Sequence, residues 1–532
     1  MIRVMSNSSE IAGTVASDDR EYPGAHTQTA IAGVVIGELE RVLPATARRP
    51  LTAQTSLSAC GIDDVLLGDA VARIEGRYGM RFRAEWLAPV RSCGDLVDCI
   101  AERMFDAADR TADQAAEALP SRSRLVEQRT SPAPATGGVF PECAALEQRL
   151  ADLQAAGLEN PFRLATESVR GRTARIGGRE VVCFTSFDYL GLGSHPDVIR
   201  GAKDAIDRFG CGASASRMVG GNNILLDELD TELAAFMGAE RATVFPCGYG
   251  TNASVFAHLF GREDLILYDE LAHNSIVQGA NASQAATRSF RHNDHDQLDA
   301  LLRDIRGRYR RVVVAIEGVY SMDGDYPDLP RFIEVKQRHD ALLYVDEAHS
   351  IGTMGQNGRG ICEFFDVDPA AGDLWMGTIS KAFGSGGGYL AGNRELIDYL
   401  GLTTPAFVFS TACSPPNAAA ALAAVRVLQR EPERVERLRE RSELFLKLAN
   451  DVGLDTGSSG DTPVIPVILG SSQRALAVSQ QLLELGINAR PILYPAVRES
   501  AARVRFFVTS EHSEEQIVAA VEAVAEVAAA TS

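Results

Sequence analysis

The sequence contains no C-x-x-C pair. Its nine cysteines stand singly, at Cys60, Cys93, Cys99, Cys143, Cys183, Cys211, Cys247, Cys362 and Cys413. An odd count without close pairs argues against both a disulfide framework and a structural zinc site. Basic residues are in deficit, Lys plus Arg being 52 against 71 for Asp plus Glu, a formal charge of −19. A surface that acidic repels phosphate backbones, so general nucleic-acid binding is disfavoured. Nowhere do about 18 apolar residues run together, so no membrane span is expected. The first residues, MIRVMSNSSEIAG, lack the apolar centre of a secretory signal. What the chain does have is ordinary globular material, 45% hydrophobic and 23% charged over 532 residues. That length allows about three domains and predicts a cytoplasmic protein with a large core.

The pattern changes along the chain. Residues 1–28 are polar and aperiodic and read as a mobile tail. Within 29–110, Ile31, Val34, Val35, Leu39 and Val42 recur at helical spacing, as do Val65, Leu66, Ala70, Val71 and Ile74. This predicts a small all-α bundle. Residues 111–140, rich in Ala, Ser, Pro and Arg, read as a linker. From 141 onward, strand candidates at Ala242–Pro246, Leu265–Tyr268, Arg311–Ile316, Leu342–Asp346 and Trp375–Ile379 alternate with amphipathic helical stretches. Such alternation predicts an α/β domain with a mostly parallel sheet, over 141–425, followed by a smaller α+β domain over 426–532.

In parallel sheets chemistry gathers at the carboxyl ends of strands, and polar clusters follow the predicted ends here. They are Asp346-Glu347-Ala348-His349 after LLYV, Thr378-Ile379-Ser380-Lys381 after LWMG, Cys247-Gly248-Tyr249-Gly250-Thr251-Asn252 after ATVFP, and DELAHNS (Asp269 to Ser275) after LILY. Pyridoxal phosphate chemistry requires these residue types: a lysine amine for the aldehyde, and a carboxylate to keep the ring nitrogen protonated. It also needs a donor to the phenolic oxygen, a flat group over the ring, and backbone N–H groups opening a helix for the phosphate. Lys381, Asp346, His349 and His273 match the first four in turn. Cys247, Gly248 and Tyr249, with the Thr378 hydroxyl, match the last. Taken singly, Asp346 reads equally well as a helix N-cap and His349 as a satisfied surface histidine, and a lone buried lysine such as Lys381 is more often a salt-bridged structural residue.

From Cys143 to the C-terminus the chain resembles the α-oxoamine synthases, fold-type I pyridoxal phosphate enzymes. The resemblance is carried by SFDYLGLGSHP, GCGASASRMVGG, FPCGYGTN, DELAHNSI, EGVYSMDGD, YVDEAHSIGTMG, GTISKAFGSGGGY, FVFSTA and YPAVRESAARVRF, in that order. It implies a fold-type I aminotransferase-like domain that condenses an α-amino acid with an acyl thioester and decarboxylates the product to an α-amino ketone. Lys381 is then cofactor anchor and base, and Asp346 partners the ring nitrogen. His273 stacks on the ring and orients the acyl carbonyl, while Ser321 and His349 bind the phenolic oxygen. Ser410 and Thr411 resemble the pair lent to a neighbouring subunit's phosphate, implying a homodimer with composite sites. Arg503 resembles the arginine that grips the amino-acid carboxylate, a task for a bidentate guanidinium. Two positions depart from the pattern. Phe187 stands where an Asn often contacts the substrate carboxylate, and Leu226 replaces a histidine and reads as packing.

The N-terminal bundle resembles an acyl carrier protein through Leu57–Leu67 (LSACGIDDVLL) and Gly94-Asp95-Leu96. Asp64 occupies the position of the phosphopantetheine serine and has no hydroxyl to esterify, so a carrier-like domain without an arm is expected. The acyl group would arrive on coenzyme A or on a separate carrier protein. Two other functions fit part of the pattern: an aminotransferase or aldolase-type lyase of the same fold, which shares Lys381 and Asp346, and a non-catalytic scaffold. Gly384–Gly388 lacks the G-K-[ST] ending of a phosphate loop and reads as a turn beside Lys381. The neighbours His292 to Asp296 are too close in sequence to converge on a metal.

Overall fold

The computed structural model describes residues 140–531 and, upstream, parts of 35–43, 51–74 and 90–100. The expected tail, nearly all of the expected linker and Asp64 lie outside the described residues. The chain divides into two compact units, Met1–Gln128 and Arg129–Ser532. In the first, Val35, Leu39, Leu66, Ala70, Ile74, Leu96 and Ile100 are buried in a common core, at the spacing that turns one apolar stripe inward per helix. Ser92 and Asp95 open the last helical segment reciprocally, Asp95 N donating to Ser92 Oγ at 3.2 Å and Ser92 N to Asp95 Oδ2 at 2.8 Å.

The second unit begins with helix α1 (Pro141–Ala155) and strands β1 (Thr166–Arg170), β2 (Thr173–Ile176) and β3 (Arg179–Cys183). Helices α2 (Pro196–Phe209) and α3 (Ile224–Met237) follow, then β4 (Arg241–Phe245), α4 (Gly248–Leu259), β5 (Asp264–Asp269), α5 (Asn274–Ala282) and β6 (Ala286–Phe290). Next come α6 (His295–Ile305), β7 (Arg311–Glu317), α7 (Leu329–Arg338), β8 (Leu342–Asp346), β9 (Leu374–Thr378) and β10 (Gly388–Gly392). Strands β4 to β10 form one seven-stranded sheet in the order β4-β10-β9-β8-β7-β5-β6. Only β10 runs against its neighbours. Its central strands are apolar throughout because helices cover both faces: Val312 to Ile316 and Leu343 to Val345 are all within 1% of full burial.

Apart from the one-turn helices Ile361–Phe364 and Pro405–Val408 and short 3-10 turns, the remaining elements are α8 (Arg394–Thr403), α9 (Pro415–Arg430), α10 (Glu433–Asp451), β11 (Val464–Ile468), α11 (Ser472–Glu484), β12 (Ile487–Asn488), β13 (Arg490–Ile492), β14 (Arg503–Phe507) and α12 (Glu514–Ala530). Strands β11, β14 and β13 form a small antiparallel sheet, packed through Val504 and Phe506 onto Phe445, Val478 and Val521 of α10, α11 and α12. The expected boundary at 425/426 needs correction. It falls inside α9, whose Val427 and Leu428 remain in the major core, as do Val435 and Leu438 of α10; the change of core comes within α10, before Phe445. Strands β1 to β3, expected with the major domain, pair through β3 with β12 and so join the C-terminal region.

Candidate active site

The carboxyl ends of five strands meet on one edge of the large sheet: Phe245, Asp269, Glu317, Asp346 and Thr378. Because β10 is antiparallel to both β4 and β9, β4 points the same way as the parallel strands. A cavity of about 270 Å³ lies at this edge. Of the residues expected from sequence, Lys381, Asp346, His273, His349, Cys247, Gly248, Tyr249 and Thr378 all line it. Leu226 is fully buried on α3, as packing requires.

Asp346, only 4% exposed, is held on both oxygens. Asn252 Nδ2 donates to Oδ2 at 2.7 Å and the Ala348 amide to Oδ1 at 2.9 Å. Asn252 is in turn fixed by Tyr344 OH, which donates to its Oδ1 at 2.6 Å, and Nδ2 also reaches Ser275 Oγ at 2.9 Å. Ser275 Oγ lies 2.6 Å from His273 Nδ1, and the His273 amide donates to Glu317 Oε1 at 2.5 Å. One hydrogen-bonded chain thus runs from the acid to the imidazole at the cavity mouth. His349 is buried, with Nδ1 2.7 Å from Tyr189 OH.

Burial shapes the protonation of these groups. It lowers the Lys381 amine to about 8, with Asp346 and Glu317 opposing and Arg505 assisting. Burial, and then the charge of Lys381, holds His349 well below the usual histidine range. Partial burial of the His273 ring lowers it too, against the pull of Asp346. Glu317 is pushed well above the ordinary carboxylate range by burial and by the charge of Asp346. The site therefore favours a neutral imidazole pair and a lysine able to lose its proton near physiological pH.

Five expected residues lie off the cavity wall. The Phe187 ring stands beside it, 5.9 Å from Lys381 Nζ and 5.7 Å from the His349 ring. The backbone carbonyl of Ser321 accepts from Arg505 Nη1. Ser410 and Thr411 follow the short helix Pro405–Val408, next to Phe409, which is 86% exposed. Arg503 is buried and occupied: Nη1 donates to Asp323 Oδ1 at 2.6 Å and to Met322 O at 2.8 Å, and Nε to Ala501 O at 2.8 Å. Two residues on, and so on the same strand face, Arg505 lies over the Phe507 ring at 4.4 Å with its buried Nε unpartnered. Its charge acts on both Lys381 and His349. Asn252, Glu317 and Tyr189 lie within the sequence motifs but carry no role there. Asn252 was discoverable, being one helical turn from Gly248.

The cavity suits pyridoxal phosphate on its own donor set. An amine, an acid held by two donors, and the N-terminus of α4 share it. Cys247 caps that helix, its Sγ accepting from Gly250 N at 3.3 Å, and an aligned helix start attracts phosphate. Glycine is required where the helix meets the sheet: a Cβ on Gly388 would lie 2.8 Å from Gly248 Cα.

Comparison with known proteins agrees. Residues 179–524 match the family model "Aminotransferase class I and II". The 8-amino-7-oxononanoate synthase of Symbiobacterium thermophilum is 39% identical over 382 residues, 72% of this chain and 97% of that protein. The 8-amino-7-oxononanoate synthase 1 of Bacillus subtilis is 36% identical, over 66% of this chain and 89% of that protein. Among solved structures, Sphingomonas wittichii serine palmitoyltransferase superimposes with a TM-score of 0.70 at 32% identity, covering 75% of this chain and 99% of that one. A high-resolution serine palmitoyltransferase structure containing PLP also gives 0.70, at 29% identity, over 74% of this chain and 99% of that one.

Proposed function

The chain belongs to the aminotransferase class I and II family and, within it, to the α-oxoamine synthases, pyridoxal phosphate-dependent enzymes that condense an amino acid with an acyl thioester and release CO₂; from that premise we propose how its own residues divide the work. The observation that carries the assignment is Lys381, with its lowered amine, in one cavity with Asp346 and the start of α4.

Bound pyridoxal phosphate supplies an electron sink for a carbanion at the amino acid's α-carbon. Lys381 anchors the cofactor aldehyde. Its Nζ, able to shed its proton near neutral pH, would take the α-proton of the amino acid and return one. Asp346, locked by Asn252 and Ala348, keeps a proton on the ring nitrogen. The Gly248 and Tyr249 amides and the Thr378 hydroxyl hold the phosphate, beside Cys247. His349 serves the phenolic oxygen, with Ser321 nearby. His273, at the mouth, covers the ring and orients the acyl carbonyl for attack. Arg505 rather than Arg503 grips the amino-acid carboxylate, because Arg503 is already committed to Asp323. Phe187 borders the same space and helps select the amino acid.

The working form is a homodimer in which Ser410 and Thr411 reach the neighbouring site. Phe409, 86% exposed and adjacent to this pair in the chain, supports this. The N-terminal unit is a carrier-like bundle without an arm, and the acyl thioester comes on coenzyme A or on a separate carrier protein. Among the described residues no helix is long and apolar enough to cross a membrane.

The test supplies purified holoprotein with a panel of amino acids and acyl-coenzyme A of several lengths. Free thiol and CO₂ released one for one support the synthase. A 2-oxo acid formed without thiol would establish an aminotransferase instead.

A further inference from the structure

The turn His292-Asn293-Asp294 lies outside the cavity, yet its imidazole joins two loops that serve it. His292 Nδ1 is 2.9 Å from Asp269 Oδ1, and Nε2 is 2.8 Å from Asp325 Oδ2. Carboxylates only accept, so both ring nitrogens carry a proton and the ring is an imidazolium. Burial by itself lowers its pKa, but the hydrogen bonds and charges of the two acids outweigh burial and raise it to about 10. Its other neighbours include the Tyr320 ring, edge-on at 4.5 Å, Glu270, whose Oε1 accepts the His292 amide at 3.2 Å, and the Asn293 side chain, whose Nδ2 lies 3.3 Å from Nε2 and donates to the same Asp325 Oδ2 at 3.4 Å.

Each acid is the root of a different loop. Asp269 ends β5 and fixes the segment leading to His273. Its Oδ1 takes the Leu271 amide at 2.8 Å, its Oδ2 the Asn293 amide at 2.8 Å, and its backbone carbonyl the Ala272 amide at 2.9 Å. Asp325 closes the turn after β7: its carbonyl accepts from Tyr320 N at 2.9 Å, and its Oδ2 also accepts from Ser458 Oγ at 3.1 Å. Inside that turn lie the carbonyls of Ser321 and Met322, the shelf on which Arg505 and Arg503 rest. The imidazolium therefore spans from the loop bearing the ring-covering His273 to the loop seating the arginines.

We propose that His292 is a positioning residue for the condensation, bolting the Asp269–His273 loop to the Tyr320–Asp325 turn so that Arg505 and His273 keep a fixed separation across the bound amino acid. This rests on the reading of Arg505 as the carboxylate grip. His273 and Ser321 meet the cofactor from these loops, but the groups for its aldehyde, ring nitrogen and phosphate, Lys381, Asp346 and Thr378, lie on other segments, so loosening the bolt weakens amino-acid binding far more than cofactor binding.

The experiment compares wild type with His292→Gln, which retains one donor arm, and Asp325→Asn, which keeps the shape but removes one charge. Glycine, L-alanine and L-serine are titrated against the absorbance of the PLP-loaded protein, and backbone deuterium exchange is followed in the same samples. Amino-acid Kd should rise at least tenfold in His292→Gln and severalfold in Asp325→Asn, with PLP Kd within threefold of wild type. Exchange should quicken in both loops together. Should His292→Gln fail to fold, Asp325→Asn carries the test alone. Unchanged exchange in both loops, or parallel losses of PLP and amino-acid affinity, would overturn the proposal. If wild type responds to none of the three amino acids and releases no thiol from any thioester, the functional reading fails instead, and exchange still decides whether the loops are coupled.

Discussion

Asn252 donates to Asp346 at 2.7 Å while accepting from Tyr344 OH at 2.6 Å, so one buried amide fixes the acid on which the cofactor's electron sink depends. Asn252→Ala strands the Tyr344 hydroxyl and removes a donor from Asp346. Each buried group left unsatisfied costs about 1–3 kcal/mol. Melting temperature and turnover should both fall, turnover by about tenfold or more. A variant with unchanged kcat would show that Asp346 needs no lateral support.

Lys381 gives a prediction whose sign is set by linkage. In the cofactor-free protein its amine has a pKa of about 8 rather than 10.5. Below pH 8 folded and unfolded chains both hold the proton, and the cost of burying the charge is fully present. Between about 8 and 10.5 the unfolded chain binds more protons, so stability rises with pH. Lys381→Met removes the cost. Apo-protein carrying it should be more stable than wild type at pH 7, by about 2 kcal/mol after allowing for residual solvent contact, and the gap should close by pH 10.5. Urea unfolding at several pH values measures it, and the same variant should lack turnover.

The arginine pair separates by substitution. Arg505→Lys keeps a charge but loses the planar fork, and should raise amino-acid KM by about tenfold or more, the cost of one charge-assisted contact. Arg503→Lys should act mainly on stability, since its partners are Asp323, Met322 and Ala501. Steady-state kinetics and thermal melts on both variants test the assignment; the reverse pattern would return the carboxylate to Arg503.

This pair also marks where sequence legibility stops. Buried parallel strands are continuous apolar runs, so the segments ending at Asp346 and Thr378 stand out, and the polar residues after them fall where strand ends place chemistry. β6 and β10 do not stand out. β6 is an edge strand reading ATRSF with its middle partly open, and β10 is five residues bracketed by glycine. Arg503 and Arg505 share a face by strand alternation, and their division of labour depends on Asp323, far away in sequence. Asn252, by contrast, lay within reach of helical spacing. Partners that meet only after the chain has folded, such as Tyr189 with His349, leave no local signal.

Composite sites make a prediction that no single chain can meet. If Ser410 and Thr411 serve the neighbouring cavity, Lys381→Ala and the double variant Ser410→Ala/Thr411→Ala are defective in different sites. Mixing the two after dissociation gives heterodimers as about half of all dimers. Each heterodimer holds one cavity with Lys381 from one chain and an intact Ser410–Thr411 pair from the other. The mixture should recover about a quarter of wild-type turnover per site, well above either parent. Measured against mixing ratio, activity should peak at equal proportions. Recovery no greater than the sum of the two parents would place the pair's work within its own chain and remove the case for shared sites.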